Sequence, residues 1–297
     1  MGAELSSLEV HAPAKINLFL AVTGRRPDGF HDLLSVAAPL AWGDTISVEG
    51  TGGSFSVDCD VQGIPTDGSN LVIRAAHAFA QATGWTGGAR FTISKRIPAG
   101  AGLGGASSDA AAVLEALNSL AGGPLDDAGL ARVASGVGSD CALFLHRAPV
   151  VMRGRGERVE RLDPSACRRI SGRRSLVFKP GFAILTPWAY GRLAEAPGSY
   201  VPAPQAEDRL ASWIASPSAA AGDLLFNSME RPAFDKFSAL PVLLRAIRAR
   251  FGIPAGMSGS GSACFALLSD DADAGPVAEA VREAWGPSAL VVDTRFA

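Results

Sequence analysis

A mixed α and β protein of two domains is the fold class this sequence predicts, and three observations predict it. The chain has 297 residues, more than one hydrophobic core comfortably serves. Its hydrophobic content of 47% can fill two cores. Strand-like runs also alternate along it with stretches of helical period.

Taken in order, Ile16 to Val22 and Asp44 to Glu49 read as strands, and the glycine-rich segment Gly50 to Ser54 as a turn. Asn70 to Gln81 carries a helical period, Phe91 to Ser94 is strand-like, and Asp109 to Leu120 is an alanine-rich helix. Gly122 to Leu130 turns into a further helix. Arginines cluster from Arg153 to Arg174 with Glu157, Glu160 and Asp163 between them, the pattern of a solvated hairpin or a domain junction. The expected domains are therefore 1–158 and 159–297. In the second, Ser175 to Lys179 and Phe182 to Leu185 read as strands, Pro241 to Arg250 and Val277 to Ala284 as helices, and Ala289 to Thr294 as a closing strand. The Pro-, Ser- and Ala-rich stretch from Ala194 to Ala221 is expected to be a long surface excursion.

Composition narrows the partners. A net charge of −2 without a lysine-rich tail argues against nucleic acid, and the lack of an 18-residue apolar run argues against a membrane span. The start has no leader pattern, so a cytoplasmic location is expected, and the loose acylation match at Gly2 and Ser6 is read as chance. The four cysteines and four histidines have no metal-ligand spacing, which predicts neither zinc nor disulfides. Cys141 and Cys264 sit among apolar neighbours and read as core.

One stretch carries chemistry: Pro98, Ala99, Gly100, Ala101, Gly102, Leu103, Gly104, Gly105, Ala106, Ser107 and Ser108, running into the alanine-rich helix. Four glycines let a backbone approach a ligand closely, Ser107 and Ser108 suit an N-cap, and a helix N-terminus favours an anion. A polyphosphate fits that description. A tight connection that binds nothing is the competing reading. Gly100, Gly102 and Gly105 also satisfy a dinucleotide fingerprint, but Asp126 and Asp127 follow a turn rather than a second parallel strand, which disfavours that fold. No Lys-Ser or Lys-Thr follows the glycines, so the nucleoside-triphosphatase loop does not match either.

Read together in order, Ala12 to Leu18, the glycine loop and Met257 to Phe265 resemble the GHMP small-molecule kinases. The segments Thr23 to Asp32 and Gly136 to Asp140 narrow the resemblance to the members acting on 4-diphosphocytidyl-2-C-methyl-D-erythritol, with residues 190 to 225 the least similar. The resemblance implies an α+β architecture, with a ribosomal S5 domain 2-like N-terminal domain that binds nucleotide and a ferredoxin-like C-terminal domain. It implies transfer of the ATP γ-phosphoryl group to the 2-hydroxyl of that cytidine diphosphate-linked methylerythritol, in non-mevalonate isoprenoid precursor synthesis. Magnesium is expected to arrive bound to ATP, near Ser107 or Ser108, and the protein to be a monomer or weak homodimer.

The same resemblance assigns residues. Asp140 accepts or orients the hydroxyl proton, and Lys15 keeps that carboxylate ionised and stabilises charge on the reacting oxygen. Residues 98–108 cradle the phosphates, with Asn70 and Lys95 near the purine. Phe30 and Tyr190 stack on the cytosine, His31 bonds its edge, and Asn17, Thr186, Ser260 and Gly261 contact the diphosphate or the erythritol. Position 30 is commonly tyrosine in the family, so Phe30 retains stacking without the hydroxyl.

Overall fold

The computed structural model describes residues 7–196 and 198–297, so Gly2 and Ser6 lie outside the described residues. The chain opens with two long strands, β1 (Ser7–Arg25) and β2 (His31–Thr51). After them come β3 (Phe55–Cys59), α1 (Leu71–Thr83) and β4 (Gly88–Ser94). Three helices follow: α2 (Gly105–Leu120), α3 (Asp127–Val137) and α4 (Cys141–Phe144). Next are β5 (Val150–Arg153), β6 (Arg158–Arg161), α5 (Pro164–Cys167), β7 (Arg174–Lys179), α6 (Thr186–Glu195) and α7 (Ala203–Ala215). The last elements are β8 (Phe226–Asn227), α8 (Glu230–Lys236), α9 (Ala239–Phe251), β9 (Ala255–Met257), β10 (Cys264–Leu267), α10 (Gly275–Trp285) and β11 (Leu290–Arg295).

Two compact units are built from these elements. Among the described residues, one holds those up to Ala14, Trp42–Pro98 and Gly104–Arg147, the other Lys15–Ala41, Ala99–Leu103 and those from Ala148 onward. They do not divide at residue 158. Both β1 and β2 contribute to each unit, and Arg158 opens the second strand of the β5–β6 hairpin.

In the first unit β3 runs parallel to β4, and β4 pairs antiparallel with the end of β2 from Thr45 to Thr51. Helix α1 forms because Asn70 caps it and because Val72, Ile73, Ala76 and Phe79 line one buried face. Helix α2 is buried on most sides from Ser108 to Leu117, which its run of small alanines permits.

The second unit contains the remaining parts of β1 and β2 with β5, β6 and β8, and a separate antiparallel sheet in the order β11-β7-β10-β9. Alternate residues Leu176 and Phe178 of β7, and Cys264 and Ala266 of β10, share a core with Leu193, Leu244 and Val281 from α6, α9 and α10. The α+β expectation therefore holds, with two local differences. Residues 182–185 are not a strand: Ile184 N donates to Gly100 O and Lys179 Nζ holds Pro180 O and Phe182 O, so this backbone serves a loop instead of a ladder. The stretch expected as an excursion contains α7, which buries Ala206, Leu210 and Trp213, with the Arg169 guanidinium 3.9 Å above the Trp213 ring. Among the described residues no helix is long and apolar enough to cross a membrane.

Candidate active site

The glycine loop owes its shape to where its carbonyls go. Ile184 N donates to Gly100 O at 3.2 Å, Ala263 N to Ala101 O at 3.0 Å and Lys15 N to Leu103 O at 2.9 Å. Gly102 O accepts from Ser258 Oγ at 3.0 Å and from Lys15 Nζ at 3.1 Å. Four successive carbonyls are thus bound by the protein. Because the N–H of a planar peptide points opposite its carbonyl, each N–H from Ala101 to Gly104 points away from the group that holds its carbonyl.

Gly104, at φ 76°, then occupies the N-cap of α2 without any side-chain cap bond. This corrects the sequence reading, in which Ser107 and Ser108 were expected to cap. The left-handed Gly104 starts the helix four residues earlier, at Gly105 instead of Asp109, so both serines lie inside its first turns and Ala106 is helical. The helix N-terminus is left uncapped by side chains. Ser107 is half-buried, whereas Ser108 is fully enclosed and its Oγ has no partner.

Lys15 and Asn17 stand two apart on β1, on one face, and are 4% and 6% exposed. Lys15 Nζ donates to Asn17 Oδ1 at 2.5 Å, and Asn17 Nδ2 donates to Ser35 Oγ at 2.9 Å. The Asn17 side chain is therefore engaged by the protein. Asp140 sits at the N-cap position of α4 but makes no side-chain cap bond, so capping does not explain an acid here.

Lys95 lies among carboxylates. Its Nζ pairs with Asp44 and, at 2.8 Å, with Asp109 Oδ2, while Asp44 Oδ1 accepts from the N–H groups of Arg96 and Ile97 at 2.5 and 2.8 Å. Burial lowers the Lys95 pKa, but Asp109 and Asp44 outweigh it and keep the ammonium charged. Gly105 permits this approach, since a Cβ there would stand 3.2 Å from Lys95 Nζ. Asp109 is the frustrated member: burial first, and then the neighbouring Asp44 charge, push it from 3.8 up to about 7 despite Lys95, and its Oδ1 has no partner. An acid whose pKa is raised on folding favours the folded state while protonated, and that contribution fades as pH climbs through about 7. The melting temperature is thus expected to fall between about pH 4 and pH 7 through this group. Asp109→Asn is expected to flatten that fall, which thermal unfolding across the range measures; an unchanged slope would remove Asp109 as its source.

Asn70 is the N-cap of α1, its Oδ1 accepting from Val72 N and its Nδ2 donating to Pro65 O. In the other unit Phe30 is 51% exposed, with the Arg155 guanidinium 5.0 Å over its ring. The Tyr190 ring lies 4.9 Å from that of His31. His31 Nε2 is 3.2 Å from the Tyr200 hydroxyl, a partner that sequence reasoning missed. Burial, with Arg25 adding to it, lowers the His31 pKa and favours a neutral imidazole that both donates and accepts. Thr186 Oγ1 and Ser260 Oγ are 3.0 Å apart, and Gly261 N donates to Ser258 O at 2.9 Å. Burial pushes the Cys141 thiol up to about 12, as suits a core residue.

Asp44, Asp109 and Ser35 were also missed. A polar residue inside an apolar strand, as at Ser35, is the one signal that was available for them.

Comparison with known proteins identifies the family. The model of the GHMP kinases N terminal domain matches residues 70–147, and that of the GHMP kinases C terminal domain residues 215–286. The 4-diphosphocytidyl-2-C-methyl-D-erythritol kinase of Methylacidiphilum infernorum is 38% identical over 265 residues, covering 88% of this chain and 86% of that protein. The one from Thermus thermophilus is 39% identical over 280 residues, 94% of each. A crystal structure of 4-(cytidine 5'-diphospho)-2C-methyl-D-erythritol kinase superposes with a TM-score of 0.77 at 36% identity, covering 98% of this chain and 100% of that one. Homoserine kinase from Cytophaga hutchinsonii shares the fold, with a TM-score of 0.76 at 17% identity over 100% of this chain and 96% of that one. By sequence and fold alike, the chain belongs to the GHMP kinases, in the family of the 4-diphosphocytidyl-2-C-methyl-D-erythritol kinases.

Proposed function

We propose that this protein transfers the γ-phosphoryl group of ATP to the 2-hydroxyl of 4-diphosphocytidyl-2-C-methyl-D-erythritol, giving the 2-phosphate and ADP. The observation that carries the reading is the glycine loop: four successive carbonyls are absorbed by the protein, so its N–H groups point away from those partners, and Lys15 is bonded to it.

Phosphoryl transfer asks mainly for positioning and charge stabilisation. The loop N–H groups and the uncapped start of α2 receive the β- and γ-phosphates. Asp140 takes the proton from the acceptor hydroxyl as its oxygen bonds to the γ-phosphorus and the bond to ADP breaks. Lys15 stabilises the negative charge on the reacting oxygens. Phe30 and Tyr190 stack on the cytosine, and neutral His31 hydrogen-bonds its edge. Asn70 and Lys95 support the purine end, Lys95 through its backbone because its ammonium is held by two carboxylates. Asn17 acts through Lys15, while Thr186, Ser260 and Gly261 contact the rest of the acceptor.

The residues fit a magnesium ion carried by the nucleotide. Hydroxyl oxygen suits that hard cation, and Ser107, half-buried where Ser108 is enclosed, would hold it. When bound, it neutralises phosphate charge.

The deciding experiment measures ADP release from Mg-ATP with the cytidyl acceptor, alongside mevalonate, homoserine and galactose. Turnover confined to the cytidyl compound is the expected result. Turnover of another compound instead would overturn the acceptor assignment.

A further inference from the structure

We infer that Ser35 is a positioning residue for phosphoryl transfer: its hydroxyl fixes the orientation of the Asn17 amide, and thereby the oxygen that holds Lys15 Nζ. This rests on the reading of Lys15 given above.

A carboxamide presents an oxygen on one side and an amino group on the other, and nothing in its shape chooses between the two orientations. The choice matters for Asn17. With Oδ1 toward Lys15, at 2.5 Å, the ammonium has an acceptor; turned over, the amide would set an N–H donor against a cation.

Ser35 makes the choice. It lies on β2, 1% exposed, and its Oγ is 2.6 Å from Phe19 O. A carbonyl can only accept, so the hydroxyl hydrogen of Ser35 is committed to Phe19. Toward Asn17, at 2.9 Å, Oγ is therefore an acceptor, and the group facing it must be Nδ2. The chain of donors runs one way, from Lys15 to Asn17, from Asn17 to Ser35 and from Ser35 to a β1 carbonyl. Enclosure at Ser35 leaves bulk water no route to substitute for the hydroxyl.

A second branch closes on the same lysine. Asn17 N donates to Ser258 Oγ at 3.3 Å, and Ser258 Oγ donates to Gly102 O, the carbonyl that also receives Lys15 Nζ. That branch fixes the Asn17 backbone. Of the two branches, the Ser35 one acts on its side chain and holds the Nδ2 end, as Lys15 holds the Oδ1 end.

Ser35→Ala removes the hydroxyl without adding volume. It is expected to lower kcat about tenfold, the scale of one hydrogen bond to a charged group, with KM for ATP and acceptor within twofold. In an Asn17→Asp background both side-chain oxygens accept and no wrong orientation exists, so the same Ser35→Ala change is expected to alter kcat less than twofold. A purely structural role for Ser35 predicts equal losses in the two backgrounds, and equal losses would overturn the inference.

A readout independent of turnover is the pH dependence of Lys15 acetylation, followed by peptide mass spectrometry. The Lys15 midpoint is expected to fall in Ser35→Ala, where the ammonium keeps Gly102 O but loses the fixed orientation of its acceptor at Asn17. An unmoved midpoint would overturn the inference whatever the kinetics. Wild-type protein that fails to turn over the cytidyl acceptor would defeat the functional reading, while the Lys15 titration still decides the role of Ser35.

Discussion

Asp140→Asn is expected to lower kcat by about a thousandfold while KM for ATP stays within a few-fold. The residue stands at the start of α4, where an acid commonly caps, yet its side chain makes no capping bond there. Asparagine therefore costs the helix little, and its amide occupies nearly the same volume. It cannot take a proton. A positioned general base contributes about 10² to 10⁴ in rate, and that whole contribution is removed. Single-turnover ADP release at saturating ATP and acceptor measures it. A fall of less than about tenfold would mean that the acceptor hydroxyl loses its proton elsewhere, to solvent or to the phosphate itself.

The second large effect concerns the fold as much as the chemistry. Gly102→Ala is expected to destabilise the protein by several kcal/mol and to abolish measurable turnover. Gly102 has φ +75°, and a Cβ there would lie 2.2 Å from Ser258 O and 3.0 Å from Gly261 N, both of them backbone atoms that no rotamer change can move aside. Left-handed strain alone costs about 1–3 kcal/mol. Gly63 isolates that share: it has φ +85° with nothing within 4 Å, so Gly63→Ala carries strain without collision. The drop in melting temperature for Gly102→Ala is expected to exceed that for Gly63→Ala by several degrees, with activity lost only in the former. Equal drops would show that the loop yields, and that its close approach to the residue 258–261 backbone is not what holds it in place.

Elements whose burial follows a local period were legible in the sequence. The helical period with its apolar face along Leu71 to Gln81, and the strands at 44–49 and 91–94, are examples. What could not be read depends on partners far away in the chain. Asp44 looks like an ordinary strand-start acid until Lys95, 51 residues on, is placed against it. Residues 182–185 have strand-forming side chains, but their backbone is claimed by Gly100 and Lys179. Helix α2 begins at Gly105 because of a left-handed glycine, and serines are the stronger capping signal in sequence, so they misled the boundary by a turn. The candidate residues Lys15, Asp140 and the loop were recovered through a resemblance. Spacing alone left an empty connection as a live reading of the loop.

The four loop carbonyls are bound by Lys15, by Ile184 and by Ser258 and Ala263, from three separate parts of the sequence. No partly folded chain brings all four together. The glycine-rich stretch, moved into another protein, would be an unstructured linker. Competence to hold a nucleotide is therefore acquired at the end of folding, and ATP, which on this reading binds only the finished arrangement, acts as a selective stabiliser of correctly assembled molecules. On this reading, the substrate itself favours the correctly assembled molecule over partly folded ones.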